Sequence, residues 1–412
     1  MNFLRRRIGQ DPDGESDGGD SFDQTAGNSK SRKPPNTAFR QQRLKAWQPL
    51  LTPKSVIPFL FLLALIFAPL GIAIIHSTYK VELITIDYTQ CGSQSANDYK
   101  QIPNKYTSYH FNGDRTDPKF TWKVENSTDD FDDLKQTCHI QFHVPKTIKG
   151  PIYLYYKLTN FFQNHRKYVQ SYDLEQLRGA AVDAKSVTQE CEPLRLSDDK
   201  KKVIYPCGLI ADSYFNDTIS NPVLLNARGG QNNETYELTQ KNIAWSTDRK
   251  YRFRRTKYKP DQIVPPPNWY KSFPQGYNES NIPDLSSYEL LQNWMRSAGL
   301  PSFYKLYGKN TTASLQSGQY ELTIEMNYPV SLFAGTKSIV LTTNSIFGGR
   351  NLSLGVIYVI VAILSLVLGI AFLFQHLLHP RTIGDHKFLQ NTSTNIIPTD
   401  NSRLTTAYRS QL

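Results

Sequence analysis

Few residues in this chain stand where chemistry would need them. His139 and His143 form a close histidine pair, but on a strand they lie about 13 Å apart, at roughly 3.3 Å per residue, too far to share one zinc ion. The acids Asp129–Asp130 and Asp132–Asp133 are neighbours in sequence and read as a solvated turn. No H-E-x-x-H, phosphate-loop or C-x-x-C pattern occurs. The four cysteines, Cys91, Cys138, Cys191 and Cys207, suit disulfides in an oxidising compartment. Four cysteines allow three connectivities and the sequence alone does not choose, although nearest-neighbour pairing is the simplest. No catalytic residue, metal site or cofactor is predicted.

The densest basic run is "DRKYRFRRTKYK", Asp248 to Lys259. Basic residues interleaved with Tyr251, Phe253 and Tyr258 would suggest nucleic acid in a cytosolic protein. As a strand the run buries Tyr251 and Phe253 and turns Arg252 and Arg254 outward. It is then either a solvated cationic face or an electrostatic match to an acidic partner or lipid headgroups.

The elements that position these residues begin at a membrane. The chain has 412 residues and a net charge of +11, with two uncharged windows of twenty residues, Val56–Ile75 and Gly355–Phe374. Each matches the roughly 20 apolar residues that cross a bilayer. A cleaved signal peptide would lie nearer the N-terminus and have a shorter core. Pro58 falls in the first turn of the first helix, and Pro69 should bend its interior. Arg40, Arg43, Lys45 and Lys54 precede this helix without any acid, so the N-terminus is expected in the cytosol. Nucleic acid is thereby excluded as a partner of the basic run. Two crossings place both tails on one side.

The expected layout is a cytosolic N-terminal tail over 1–55 and spanning helices over 56–75 and 355–374. Residues 76–354 form a luminal or extracellular domain, and 375–412 a cytosolic C-terminal tail. Residues 1–35, rich in Gly, Ser, Asp and Pro, are expected to be disordered. All four cysteines fall in the central domain, as do six N-x-[ST] sequons. Asn126, Asn216, Asn233, Asn278 and Asn310 are the expected glycosylation sites, Asn351 being too near the bilayer. The predicted location is the secretory pathway, from the endoplasmic reticulum to Golgi, endosome or plasma membrane.

Within the domain, period-two alternation marks half-buried strands. It runs through "FTWKV", "HIQFHV" and "YELTIEMNYPV", while "VELITI" and "KSIVLTT" abut the two helices. The fold class is a membrane protein whose two transmembrane helices flank a mainly antiparallel, sandwich-like β domain with short helical insertions. "SSYELLQNWMRSAG" should be one insertion, with Ser286 and Glu289 in capping-box spacing. "NFFQNHRKYV" should be another, with Phe161, Phe162, His165, Tyr168 and Val169 on one face. "VPPPNW" reads as a stiff extended connector. Neither apolar window contains an ionisable residue, so the chain alone makes a poor transporter and suits an accessory subunit or receptor.

The approach to the first helix, "AFRQQRLKAWQPLLTP" over 38–53, adds aromatics to its charge. This stretch resembles the ligand-effect modulator (cell-division-cycle fifty) family, the β-subunits of phospholipid-flipping type-four P-type ATPases. The blocks "NHRKYVQS", "YPCGLIADSYFNDT", "IAWSTDRKY", "PPPNW", "NIPD", "QNWMR" and "GGRN" agree in order. The resemblance implies a non-catalytic subunit and chaperone forming a heterodimer with a catalytic ATPase in contact with membrane lipids. Consistently, there is no D-K-T-G-T phosphorylation loop. It further implies disulfides Cys91–Cys138 and Cys191–Cys207. A topology collar needs charge only, whereas Phe39, Arg43, Lys45, Trp47 and Pro49 could dock on the pump. A glycosylated two-pass receptor with a luminal ligand is the alternative function.

Overall fold

A computed structural model describes residues 37–44, 51–94, 98–113, 117–128, 134–227 and 232–380. The chain divides into two units, Met1–Thr52 and Pro53–Leu412. In the second, helix α1 (Pro53–Tyr79) leads into strand β1 (Leu83–Asp87), helix α2 (Cys91–Gln94) and strands β2 (Lys100–Gln101) and β3 (Thr107–His110). Strands β4 (Phe120–Thr128), β5 (Leu134–Val144) and β6 (Ile152–Leu158) follow, then short helices α3 (Arg166–Gln170) and α4 (Leu174–Leu177). Two-residue strands β7 (Val203–Ile204) and β8 (Thr218–Ile219) bracket helix α5 (Leu209–Asp212). Strands β9 (Val223–Leu224), β10 (Glu234–Thr235) and β11 (Ile263–Val264) precede helix α6 (Glu289–Trp294). Strands β12 (Phe303–Asn310), β13 (Gly318–Glu325) and β14 (Lys337–Thr343) lead to helix α7 (Ser353–Leu378).

The strands build two sheets, in the orders β12-β6-β14-β1-β3 and β10-β9-β13-β5-β4-β2, with β8 also on β13. Pairing in both is antiparallel, while β7 and β11 form a separate parallel pair. Alternation decides which face is buried. Ile152, Leu154, Tyr156 and Leu158 of β6 enter the same core as Ile140 and Phe142 of β5 and Tyr320, Leu322 and Ile324 of β13. Phe142 opposes Tyr320 across the ladder, with their rings stacked at 5.8 Å. Burying each such side chain contributes about 1.5–3 kcal/mol. The disulfide Cys91–Cys138 ties α2, just after β1 of the first sheet, to β5 of the second.

Both long helices are apolar enough to cross a membrane and are buried over less than a quarter of their apolar windows. Helix α1 continues through Pro58 and Pro69. The strands that continue the helices pair with each other, β1 against β14. Glycine sets how closely α1 and α7 approach. A Cβ on Gly355 would stand 2.6 Å from Ile75 Cγ1 and 3.1 Å from the Gly71 carbonyl oxygen. Small residues allow backbones in lipid to come into contact. Gly355→Leu should therefore destabilise the helix pair by about 1–3 kcal/mol, read as a lowered melting temperature of the full chain in detergent. Gly369→Ala is the tolerated control, because its Cβ meets Leu60 and Phe61 at 3.5 Å or more.

Four local expectations are corrected. Ser286 is not the cap of α6: its hydroxyl donates to Asp284, and Tyr288 occupies the N-cap without a side-chain bond. The Glu289 carboxylate instead accepts from the backbone N–H groups of Asn242 and Ala244, both at 2.9 Å. The "NFFQNHRKYV" stretch is helical only from Arg166, so its five residues share no face. Long-range bonds hold the preceding turn, with Phe161 N–H donating to the Pro301 carbonyl and Asn164 Nδ2 to that of Gly299. In consequence Phe161 packs among aromatics while Phe162 is exposed. The basic run begins as a single π-helical turn over Asp248–Arg252 rather than a strand; Phe253 is buried, but Tyr251 is exposed. "VPPPNW" is extended through Pro266 and then closes into a 3-10 turn over Pro267–Trp269.

Candidate partner-binding and membrane-anchoring surfaces

In the first unit, residues 37–44 form one hydrogen-bonded turn. Gln41 and Arg43 N–H groups donate to the carbonyls of Thr37 and Ala38, and Thr37 Oγ1 accepts from Arg40 N–H at 3.3 Å. The turn presents Phe39, 76% exposed, and Leu44, 62% exposed. Arg43 lies at its end and is also exposed. Lys45, Trp47 and Pro49 fall outside the described residues.

Most blocks that carry the family resemblance meet inside the β domain, around the four-residue helix α5. The indole N–H of Trp294 donates to the Ile210 carbonyl at 2.8 Å, and that of Trp269 to the Ala211 carbonyl at 2.9 Å. Asp212 Oδ1 accepts from Asn268 N–H at 2.9 Å, and Tyr168 OH lies 2.8 Å from Ser213 Oγ. A helix this short cannot stand alone. Its backbone is satisfied by side chains from three distant segments: Trp294 and Trp269 reach its carbonyls, and Ser171 Oγ accepts from Leu209 N–H at 2.9 Å. Gly208, with φ of +95°, sits against Ser171, whose carbonyl oxygen would lie 2.2 Å from an added Cβ. The disulfide Cys191–Cys207 closes the loop before this hub, and Cys207 N–H donates to Gln176 Oε1 at 3.0 Å. These tryptophans and glycines are thus architectural, and the resemblance marks the fold more than a catalytic centre.

The family model described as LEM3 (ligand-effect modulator 3) family / CDC50 family matches residues 74–382. The chain belongs to the LEM3/CDC50 family. It is 48% identical over 368 residues to "Phospholipid-transporting ATPase accessory subunit CRF1" of Saccharomyces cerevisiae, covering 89% of this chain and 91% of that protein. It is 42% identical to "Phospholipid-transporting ATPase accessory subunit CDC50" of Chaetomium thermophilum, over 93% of this chain and 96% of that one. To "Cell cycle control protein 50A" of Mus musculus it is 34% identical, over 89% and 93% respectively. Its apolar, outward-facing helices make this LEM3/CDC50 chain a membrane protein.

Sequence reasoning missed three buried charged side chains in this LEM3/CDC50 domain, Asp217, Lys305 and Lys337. Lys337 Nζ lies 2.8 Å from Asp217 Oδ2, with both side chains nearly sealed from water. Tyr88 OH donates to the same carboxylate oxygen at 2.8 Å, and Asp217 Oδ1 accepts from the N–H groups of Asn327 and Tyr328. Asp217 was legible only as the middle residue of a sequon. Among the described residues Lys305 has no carboxylate partner: its ammonium donates to the carbonyls of Asn293, Trp294 and Arg296 at the end of α6. Burial, then repulsion from Arg296, pulls its pKa from 10.5 down to about 7. Between these values the unfolded chain holds a proton that the folded chain has released, so stability rises with pH across that window. Lys305→Met should flatten the rise of thermal stability between pH 7 and about 9 that the native chain shows.

The sequons differ in setting. Asn126, Asn233 and Asn278 are exposed, whereas Asn216 and Asn310 are half-buried. Asn310 Nδ2 donates to the Glu237 carbonyl at 2.8 Å beside a surface groove.

Proposed function

We propose that this chain is the non-catalytic β-subunit of a type-four, phospholipid-flipping P-type ATPase. The observation that carries this is an alignment at 48% identity, covering 89% of this chain and 91% of a protein named as such an accessory subunit. In this reading α1 and α7 cross the membrane, both termini are cytosolic, and the β domain lies on the luminal or extracellular face. The pump binds ATP, forms the aspartyl phosphate and moves lipid toward the cytosolic leaflet. This chain supports the pump's folding, its export from the endoplasmic reticulum and its transport states. Phe39, Arg43, Lys45, Trp47 and Pro49 dock along the cytosolic side of the pump, and the two disulfides and the glycans protect the domain outside.

Affinity purification of the tagged full chain in mild detergent tests the proposal. A stoichiometric partner carrying a P-type phosphorylation motif is expected. Its absence, or phospholipid translocation by this chain reconstituted alone, would overturn the assignment.

A further inference from the structure

The block "GGRN" stands apart from the hub around α5. It lies between the end of β14 and the start of α7, where a pocket of about 600 Å³ opens on the outer face of the five-stranded sheet. Tyr155, Tyr304, Asn344, Phe347, Arg350 and Asn351 contribute to its wall. Tyr155 and Asn344 are joined across it by a long hydrogen bond of 3.4 Å. Arg350 Nε is sealed from water and, among the described residues, has no hydrogen-bond partner. A guanidinium nitrogen left in this state costs free energy, and the same side chain lines the pocket.

Two further features say which ligand. Ser345 and Gly348 close a tight turn, exchanging backbone hydrogen bonds of 2.8 and 3.0 Å, with Gly348 at φ +99°. This turn leaves Ile346 95% exposed, and Phe347, at the pocket's edge, 51% exposed. Water opposes such a tip and a lipid surface does not. Arg350 precedes the first residue of α7 by three positions and the uncharged window by five. That places it within the headgroup layer, which adds roughly 5–7 Å to each side of the hydrocarbon. A planar fork of donors at that depth matches a phosphate.

The geometry points to a phospholipid-binding site, in which Arg350 grips the headgroup phosphate, Tyr155, Tyr304 and Asn344 contact its oxygens, and Ile346 and Phe347 lie among the acyl chains. The site belongs to this chain alone. It rests on the membrane reading of α1 and α7 and needs no ATPase. Asn351, whose Oδ1 accepts from Ser353 N–H at 2.9 Å, holds the start of α7 beneath it.

The test uses the full chain, purified without a partner, in nanodiscs of phosphatidylcholine and phosphatidylserine, with lipid retention after release read by native mass spectrometry. The native chain should retain one phospholipid in excess of a matched two-helix control protein. Arg350→Gln should lower that retention roughly ten-fold, Arg350→Lys should restore part of it, and the pair Ile346→Ser with Phe347→Ser should also lower it. Diacylglycerol, which lacks phosphate, should not be retained, and inorganic phosphate should not displace the lipid. Equal retention by the native chain and the folded Arg350→Gln variant would overturn the site. Equal retention of diacylglycerol would do the same, and displacement by inorganic phosphate alone would reassign the pocket to a free anion. A chain that keeps its lipid but captures no ATPase would sink the subunit assignment and leave this site standing.

Discussion

Asp217→Ala should leave the β domain about 3–5 kcal/mol less stable, the cost of stranding a buried charge without its partner. The loss has three parts. Lys337 keeps its ammonium in a site closed to water, Tyr88 loses its acceptor, and the N–H groups of Asn327 and Tyr328 lose theirs. In the native domain, burial and the nearby carboxylate push the Tyr88 hydroxyl well above its usual pKa, so it stays a donor to Asp217. A domain of ordinary stability, about 5–15 kcal/mol, would lose a large fraction of it. The measurement is the melting temperature and protease resistance of the full chain, with both disulfides verified. The substitution keeps Asn216 and Thr218, so the sequon is intact and a glycosylation defect does not confuse the result. Asp217→Asn with Lys337→Met should recover much of the loss, because the neutral amide still accepts from the two N–H groups and no charge is buried. If the single variant melted like the native chain, the pair would hold the domain together less than its burial indicates.

Replacing Phe39 and Trp47 together with Ala, with every charge kept, should reduce co-purification of the proposed pump by roughly ten-fold or more, as expected for aromatic anchors seated in pockets. Phe39 stands on a turn capped by Thr37 and is 76% exposed. A collar that only sets topology depends on Arg40, Arg43, Lys45 and Lys54, all of which the variant retains. Topology and yield should therefore be unchanged while binding and lipid uptake fall together. Unchanged pump recovery and unchanged uptake would leave the stretch as a collar and nothing more.

Much of this architecture is legible in the chain because burial has a period. Alternation in "HIQFHV" and "YELTIEMNYPV" placed Ile140, Phe142, Tyr320, Leu322 and Ile324 inward, and each is buried. The long apolar windows announced α1 and α7 because a membrane-crossing helix needs no partner to satisfy its backbone. Short elements did not yield to the same reading. The Ser286 capping box and the "NFFQNHRKYV" face both failed, since a helix of one turn takes its shape from whatever segment bonds to it. Glu289 is claimed by Asn242 and Ala244, and Phe161 by the rings of Trp294, Phe303 and Phe333.

The two long apolar helices, the alternating strands and the family resemblance are readable from local composition and order alone. Folding in three dimensions set the pairing of β1 with β14, the meeting of three distant segments around α5, the Asp217–Lys337 pair and the pocket over Arg350. Those depend on residues as far apart as Tyr88 and Lys337 arriving at one place. Coulomb and hydrogen-bond energies act over a few ångströms in space, and separation along the chain carries no record of them.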